Sequence, residues 1–251
     1  MRKGLWRRTC ARVVGAATLA ATMLLGACGG GGGGEGGGNE PPPTEYGRVS
    51  AVVGETYHWT PEFTMISGRT FSKVWRDEVT SVQPDGAYVE EHTVVDYSSE
   101  PISRNTYDSA GRQLTYEFDW TSSFPDICTY TPAYEAFKYP LHIGKTWTSD
   151  VISACSSNNK ERLVETRTVE ALERITVPAG TFDTLRIRIE ASYSDAGTGW
   201  PPSTPYTSVS TCWWSIQLGR VVKCDTNYQY PQDSPTSNVS HSSQALISYS
   251  R

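Results

Sequence analysis

The sequence predicts an all-β domain, mostly antiparallel, behind an export signal and a glycine-rich tether. Three observations carry this. "LRIRIEA" sets Leu185, Ile187, Ile189 and Ala191 against Arg186, Arg188 and Glu190. "LTYEFDW" sets Leu114, Tyr116, Phe118 and Trp120 inward against Thr115, Glu117 and Asp119, the period of a sheet with one wet face. Turn signals punctuate such runs at Pro84-Asp85-Gly86, Ser109-Ala110-Gly111 and Pro178-Ala179-Gly180. The one helix-like stretch, Glu161 to Arg174, is rich in Val and Thr and precedes a strand–turn–strand, which favours a strand.

Residues 1–27 read as a signal peptide. Arg2, Lys3, Arg7, Arg8 and Arg12 precede an apolar run of thirteen residues, Val13 to Leu25, shorter than the roughly 20 that span a bilayer as a helix. Leu25-Gly26-Ala27-Cys28 resembles the lipobox of bacterial lipoproteins. Small side chains at 26 and 27 admit a peptidase, and the Cys28 thiolate is a natural nucleophile toward a lipid donor. The resemblance implies a diacylglycerol thioether on Cys28, usually with a further acyl chain such as palmitate on the new amino group. With Gly rather than Asp at 29, it also implies the outer membrane where the host has two membranes.

Residues 28–45 form the expected linker. Gly29–Gly34 and Gly36–Gly38 have too little apolar surface to fold, and Pro41-Pro42-Pro43 stiffens the last part. Two or more acyl chains hold a protein stably at a bilayer. A coil of this length spans roughly 20–25 Å on average. The domain at 46–251 is therefore expected on a leash in the bacterial cell envelope, facing the periplasm or the cell surface.

Loss of the signal leaves 17 of 22 basic residues against 27 acidic ones, a net charge of −10. Such a surface does not suit nucleic acid. Anionic head groups would repel it, so close contact of the domain with its own membrane is not expected.

Beyond Cys10 and Cys28 four cysteines remain, Cys128, Cys155, Cys212 and Cys224, an even number that reads as disulfides in an exported chain but permits three pairings. In "CWWSIQLGRVVKC" Cys212 and Cys224 are each six residues from Leu218, so a hairpin centred there sets them opposite each other and leaves Cys128 for Cys155. The spacings are not those of a zinc site, and no metal is expected.

Val53-Gly54-Glu55-Thr56-Tyr57 is echoed by Ile143-Gly144-Lys145-Thr146-Trp147. Five residues are too few to establish a duplication. Two independent turns are the expected explanation, and two similar β halves packed into one unit are allowed.

"YPLHIGKTW", "ITVPAGTFDTLRIRIE" and "CWWSIQLGRVVKC" resemble, in order, the signature of the TapB-like group of bacterial lipoproteins. The matching residues are Pro140 to Trp147, Val177 to Phe182, and Trp213 or Trp214 with Gly219 to Lys223, within about residues 139–225. The resemblance implies a curved antiparallel sheet, as an open barrel or roll or a sandwich-like form, and implies no activity. Residues 46–138 carry no such resemblance.

The chemistry is judged from residues. His58, His92, His142 and His241 stand in no metal spacing. Glu90 and His92 share a strand face as neighbours, which reads as an ion pair. There is no G-x-S-x-G elbow and no glycine loop between a strand and a helix. No catalytic residue and no cofactor is expected, and an envelope hydrolase is the remote alternative. What remains is aromatic. Trp213 and Trp214 must point to opposite faces of one strand, so one of them faces out if the core takes the other. With Trp120, Tyr116 and Phe118 they are the candidate interaction or ligand face. The expected function is a membrane-anchored, non-catalytic lipoprotein that binds another envelope component, or alternatively a carrier of a lipid-like hydrophobic ligand.

Overall fold

A computed structural model describes residues 45–96, 100–119, 125–197 and 205–251. Its strands are β1 (Thr56–Met65), β2 (Thr70–Ser72), β3 (Trp75–Val82), β4 (Tyr88–Val94), β5 (Ser103–Tyr107), β6 (Gln113–Phe118), β7 (Asp126–Tyr134), β8 (Thr146–Cys155), β9 (Lys160–Val177), β10 (Gly180–Asp195), β11 (Tyr206–Ser215), β12 (Arg220–Gln229) and β13 (Val239–Ser250). The helix-like stretch is the middle of β9. From β4 onward each strand pairs antiparallel with its predecessor, and β3 pairs with β1.

The sheet is closed. All of β1 pairs with β13, from Thr56↔Ser250 to Met65↔Val239. Twelve strands thus form an antiparallel barrel, and short β2 pairs with the half of β1 that β3 does not reach. Closure removes the unpaired edges that an open sheet of this size would expose.

Alternation sorts the side chains as the period requires. Leu185, Ile187, Ile189 and Ala191 are buried inside, while Arg188 pairs with Glu190 at 2.7 Å outside. Arg162 holds Asp150 through two bonds of 2.6 and 2.8 Å, and Thr146–Thr168 and Thr148–Thr166 bond across the same wall. A membrane-spanning barrel needs an apolar outer band. This wall, over β8 to β10, carries exposed charged and hydroxyl pairs instead. One residue departs from the expected pattern: Leu114 is bulged out of the β5–β6 ladder and exposed, because Tyr107 pairs with Gln113 while Thr106 pairs with Thr115.

The short sequence echo is structural. Gly54 N donates to Val79 O and Val79 N to Glu55 O; Gly144 N donates to Val169 O and Val169 N to Lys145 O, all within 2.8–3.0 Å. One residue further on, Thr80 and Glu170 are each bulged out of their ladders. Leu114 in β6 and Val222 in β12 repeat the correspondence. The barrel is therefore two six-stranded halves, β1 with β3 to β7 and β8 to β13, with β1 and β8 on opposite sides and running the same way.

The end at which the chain enters is covered. Tyr46 exchanges two 2.8 Å backbone bonds with Leu141, and the segment then crosses to β3 with Val49 and Ala51 buried. The connection 135–145 buries Ala136, Phe137 and Leu141. The β9–β10 tip reaches β13 through Ala179 N on Leu246 O at 3.1 Å, and packs Val177 and Phe182 with Tyr57, Trp59, Leu218 and Val222.

Candidate functional site

Period two turns Asp77 of β3, Glu90 and His92 of β4, and Ser103 and Asn105 of β5 to the barrel interior, where the ladder register makes Asp77, His92 and Ser103 one row. His92 Nδ1 lies 2.6 Å from Asp77 Oδ1. Arg220, from the far half of the barrel, bonds Glu90 and lies 3.8 Å from Asp77. Its guanidinium stands 3.8 Å over the Tyr57 ring. The Trp75 ring meets His92 edge-on at 4.9 Å. Next to it, Glu55 accepts from Arg251 Nε at 2.5 Å and from the Tyr57 hydroxyl at 3.3 Å.

Burial dominates the electrostatics. It raises the Glu90 carboxyl above the usual glutamate range, with Arg220 pulling the other way. The Tyr57 phenol is pushed up to about 12 by burial, again opposed by Arg220. Burial also works against the charge on Arg220, but Glu90, Tyr57 and Asp77 together outweigh it and hold the guanidinium above its ordinary value. Two carboxylates, Glu90 and Asp77, thus face one guanidinium and one imidazole inside the barrel.

The row Asp77–His92–Ser103 has the composition of a hydrolytic relay but not its geometry. Ser103 is fully buried, and among the described residues neither its Oγ nor His92 Nε2 has a hydrogen-bond partner. A nucleophile needs both the base within reach and access to its substrate. Glu90 and His92 do share a face, as the spacing predicts. They do not pair with each other, because Arg220 and Asp77 take them instead.

A second buried set lies on β7 and β9. Arg167 bonds Glu165 at 2.8 and 3.2 Å and donates to the Tyr134 hydroxyl at 2.7 Å, which itself donates to Glu165 at 3.1 Å. Burial opposes the Arg167 charge, and Glu165 and Tyr134 overcome it. This set borders a small interior space, with Tyr193, Ser210 and Thr226. Another lies among Phe63, Trp75, Thr226 and Gln244. Each is about 20 Å³, room for a water molecule and not for an acyl chain.

Of the residues singled out in the sequence, Trp214 is fully buried against Phe137 and Tyr139 at 6.4 and 6.2 Å between ring centres. Trp213 is on the outer wall and half-buried. Its Nε1 donates to Glu173 at 2.9 Å, and Lys223 Nζ lies 4.7 Å over its ring. Tyr116 and Phe118 pair across the ladder with buried Asn105 and Ser103, and so face inward, away from Trp213. Cys128–Cys155 and Cys212–Cys224 are both bonded, each pair directly opposite in its ladder. Asp126 lies beside the first pair as a possible metal donor, but both sulfurs there are taken up by the disulfide. Cys28 and Trp120 lie outside the described residues.

Sequence reasoning put Glu90 and His92 on one face but missed their partners Asp77 and Arg220, and missed the second set. A signal was present for the second: Glu165 and Arg167 fall in step with Leu163 and Val169, which alternation sends inside. Arg220 gave no local signal, since its partners are 130 and 143 positions away in the chain.

No family model matches the chain, so the finer TapB-like resemblance has no such match, and no curated protein matches it. Among solved structures it is similar to a predicted lipoprotein from Parabacteroides distasonis ATCC 8503, with 16% identity, 79% of this chain and 96% of that one covered, and a TM-score of 0.44. It is similar to a predicted exported protein with a YmcC-like fold from Bacteroides fragilis NCTC 9343, with 14% identity, 83% and 100% covered, and a TM-score of 0.47. The hypothetical lipoprotein YmcC from Escherichia coli K12 shares 12% identity over 76% and 86% of the two chains, with a TM-score of 0.37.

Proposed function

We propose that the chain is a lipid-anchored, non-catalytic envelope protein that meets another envelope component through the outer wall around Trp213. The observation that carries this reading is the pair of ionic sets inside the barrel, whose groups are buried against one another instead of lining an open cleft. Two spaces inside hold about 20 Å³ each, and the ionisable groups Glu90, Asp77 and Arg220 are buried and paired. That favours recognition on the outside over a carried ligand or a reaction within. On the outside, Trp213 sits among Glu173, Lys223 and Arg186, the mix of aromatic and arginine that anchors protein interfaces. The lipobox at Cys28 and the glycine leash support the anchor.

The test is crosslinking of the full chain in its native envelope, wild type against Trp213→Ala, with Cys28→Ala fractionated in parallel. A partner lost in Trp213→Ala is the expected result. Unchanged crosslinks together with a co-purifying lipid would replace this reading with the carrier one. Normal membrane fractionation of Cys28→Ala would remove the anchor.

A further inference from the structure

The two turns of the internal repeat stand at one end of the barrel, on opposite sides of its rim, and each presents an aliphatic side chain to solvent. Val53 is 58% and Ile143 56% exposed, the most exposed large apolar residues among those described, and Val52, next to Val53, is 48% exposed. Gly54 and Gly144, at φ 89° and 83°, turn the chain back into β1 and β8 directly behind these tips. This is also the end at which the leash arrives, because Tyr46 pairs with Leu141, two residues before Ile143. Exposed Lys138 lies on the same connection as Ile143.

We propose that this end of the barrel docks on the bilayer that holds the anchor, with Val52, Val53 and Ile143 entering the head-group boundary. The proposal rests on the Cys28 anchor. Glu45 lies seventeen positions after Cys28, and a chain of that length cannot reach further than about 60 Å even when fully extended. Under that tether, contacts too weak to recruit a free protein become intramolecular and count. Aliphatic side chains at a rim gain by leaving water for the acyl boundary. Two tips on opposite sides hold the barrel upright where one would let it tilt. The net negative charge opposes the approach to anionic lipid and does not reverse it, since the tether supplies the proximity.

The experiment uses the full lipidated chain in vesicles of phosphatidylethanolamine with a minor share of phosphatidylglycerol, footprinted with hydroxyl radicals and read by mass spectrometry. Ile66 and Val95, at the opposite end and of similar exposure to Val52, are internal references. Docking predicts oxidation at least threefold slower at Val52 than at Val95 and at Ile143 than at Ile66. In the double variant Val53→Asp with Ile143→Asp, Val52 should return to the rate of Val95 while the chain still floats with the vesicles. A floating wild-type chain with equal rates at the two ends overturns this proposal alone. A wild-type chain that does not float ends the anchor reading and this proposal together.

Discussion

Val79 and Val169 hold the same place in the two halves of the barrel: each is buried, each exchanges backbone bonds with a glycine turn, and each is followed by a bulge. At the two glycines, Gly54 and Gly144, a Cβ would meet no heavy atom within 4 Å, so only backbone conformation is at stake. Replacing either by alanine should cost about 1–2 kcal/mol, the penalty of a left-handed residue with a Cβ. With the two sites on opposite sides of the barrel, the costs should add in urea unfolding.

Arg220 is the residue on which the upper interior depends. Arg220→Ala leaves Glu90 and Asp77 buried without their cation and should destabilise by about 3–5 kcal/mol. Arg220→Met combined with Glu90→Leu should be less destabilised than Arg220→Met alone, since no carboxylate at 90 is then left unpaired. Denaturant midpoints of the three variants decide it.

The raised Glu90 carboxyl has a defined sign in pH. The folded state binds this proton more tightly than the unfolded chain, so the contribution is fully present below the ordinary glutamate value of 4.5 and is lost as pH rises through the raised one. Wild type should therefore lose stability relative to Glu90→Gln as pH increases from about 4.5. A difference that stays constant, or moves the other way, would show that Arg220 dominates burial.

The adjacent tryptophans should separate cleanly. Trp214→Ala removes a fully buried ring and should cost about 3–5 kcal/mol. Trp213→Ala loses one hydrogen bond and a cation–π contact at the wall, about 1–2 kcal/mol. Thermal unfolding of both distinguishes them, and it identifies Trp213→Ala as the variant fit for interaction studies.

Non-reducing peptide mapping should recover Cys128 with Cys155 and Cys212 with Cys224. Their sequence separations are 27 and 12. Loss of either bridge should lower stability by about 3 kcal/mol in the chain-entropy account. Cys128 joined to either cysteine of the β11–β12 hairpin would displace that ladder's register.

What short-range geometry dictates was legible in the chain alone. Period two in Leu185–Ala191 fixed which side chains enter the barrel, and Pro178-Ala179 fixed the turn between β9 and β10. The count about Leu218 set Cys212 opposite Cys224, and it does so because the bulge at Val222 adds one residue to a four-residue connection. The rest came from long-range contact. Alternation tells a face from its reverse, but not whether the sheet stays open or closes, since closure depends on β1 meeting β13 almost two hundred residues later. The inside of that closed ring is where Arg220 finds Glu90 and Asp77, and where Trp214, rather than Trp213, is enclosed. Charges that look like ordinary wet-face residues in the chain become buried partners there, because only the folded ring brings opposite walls within reach of each other.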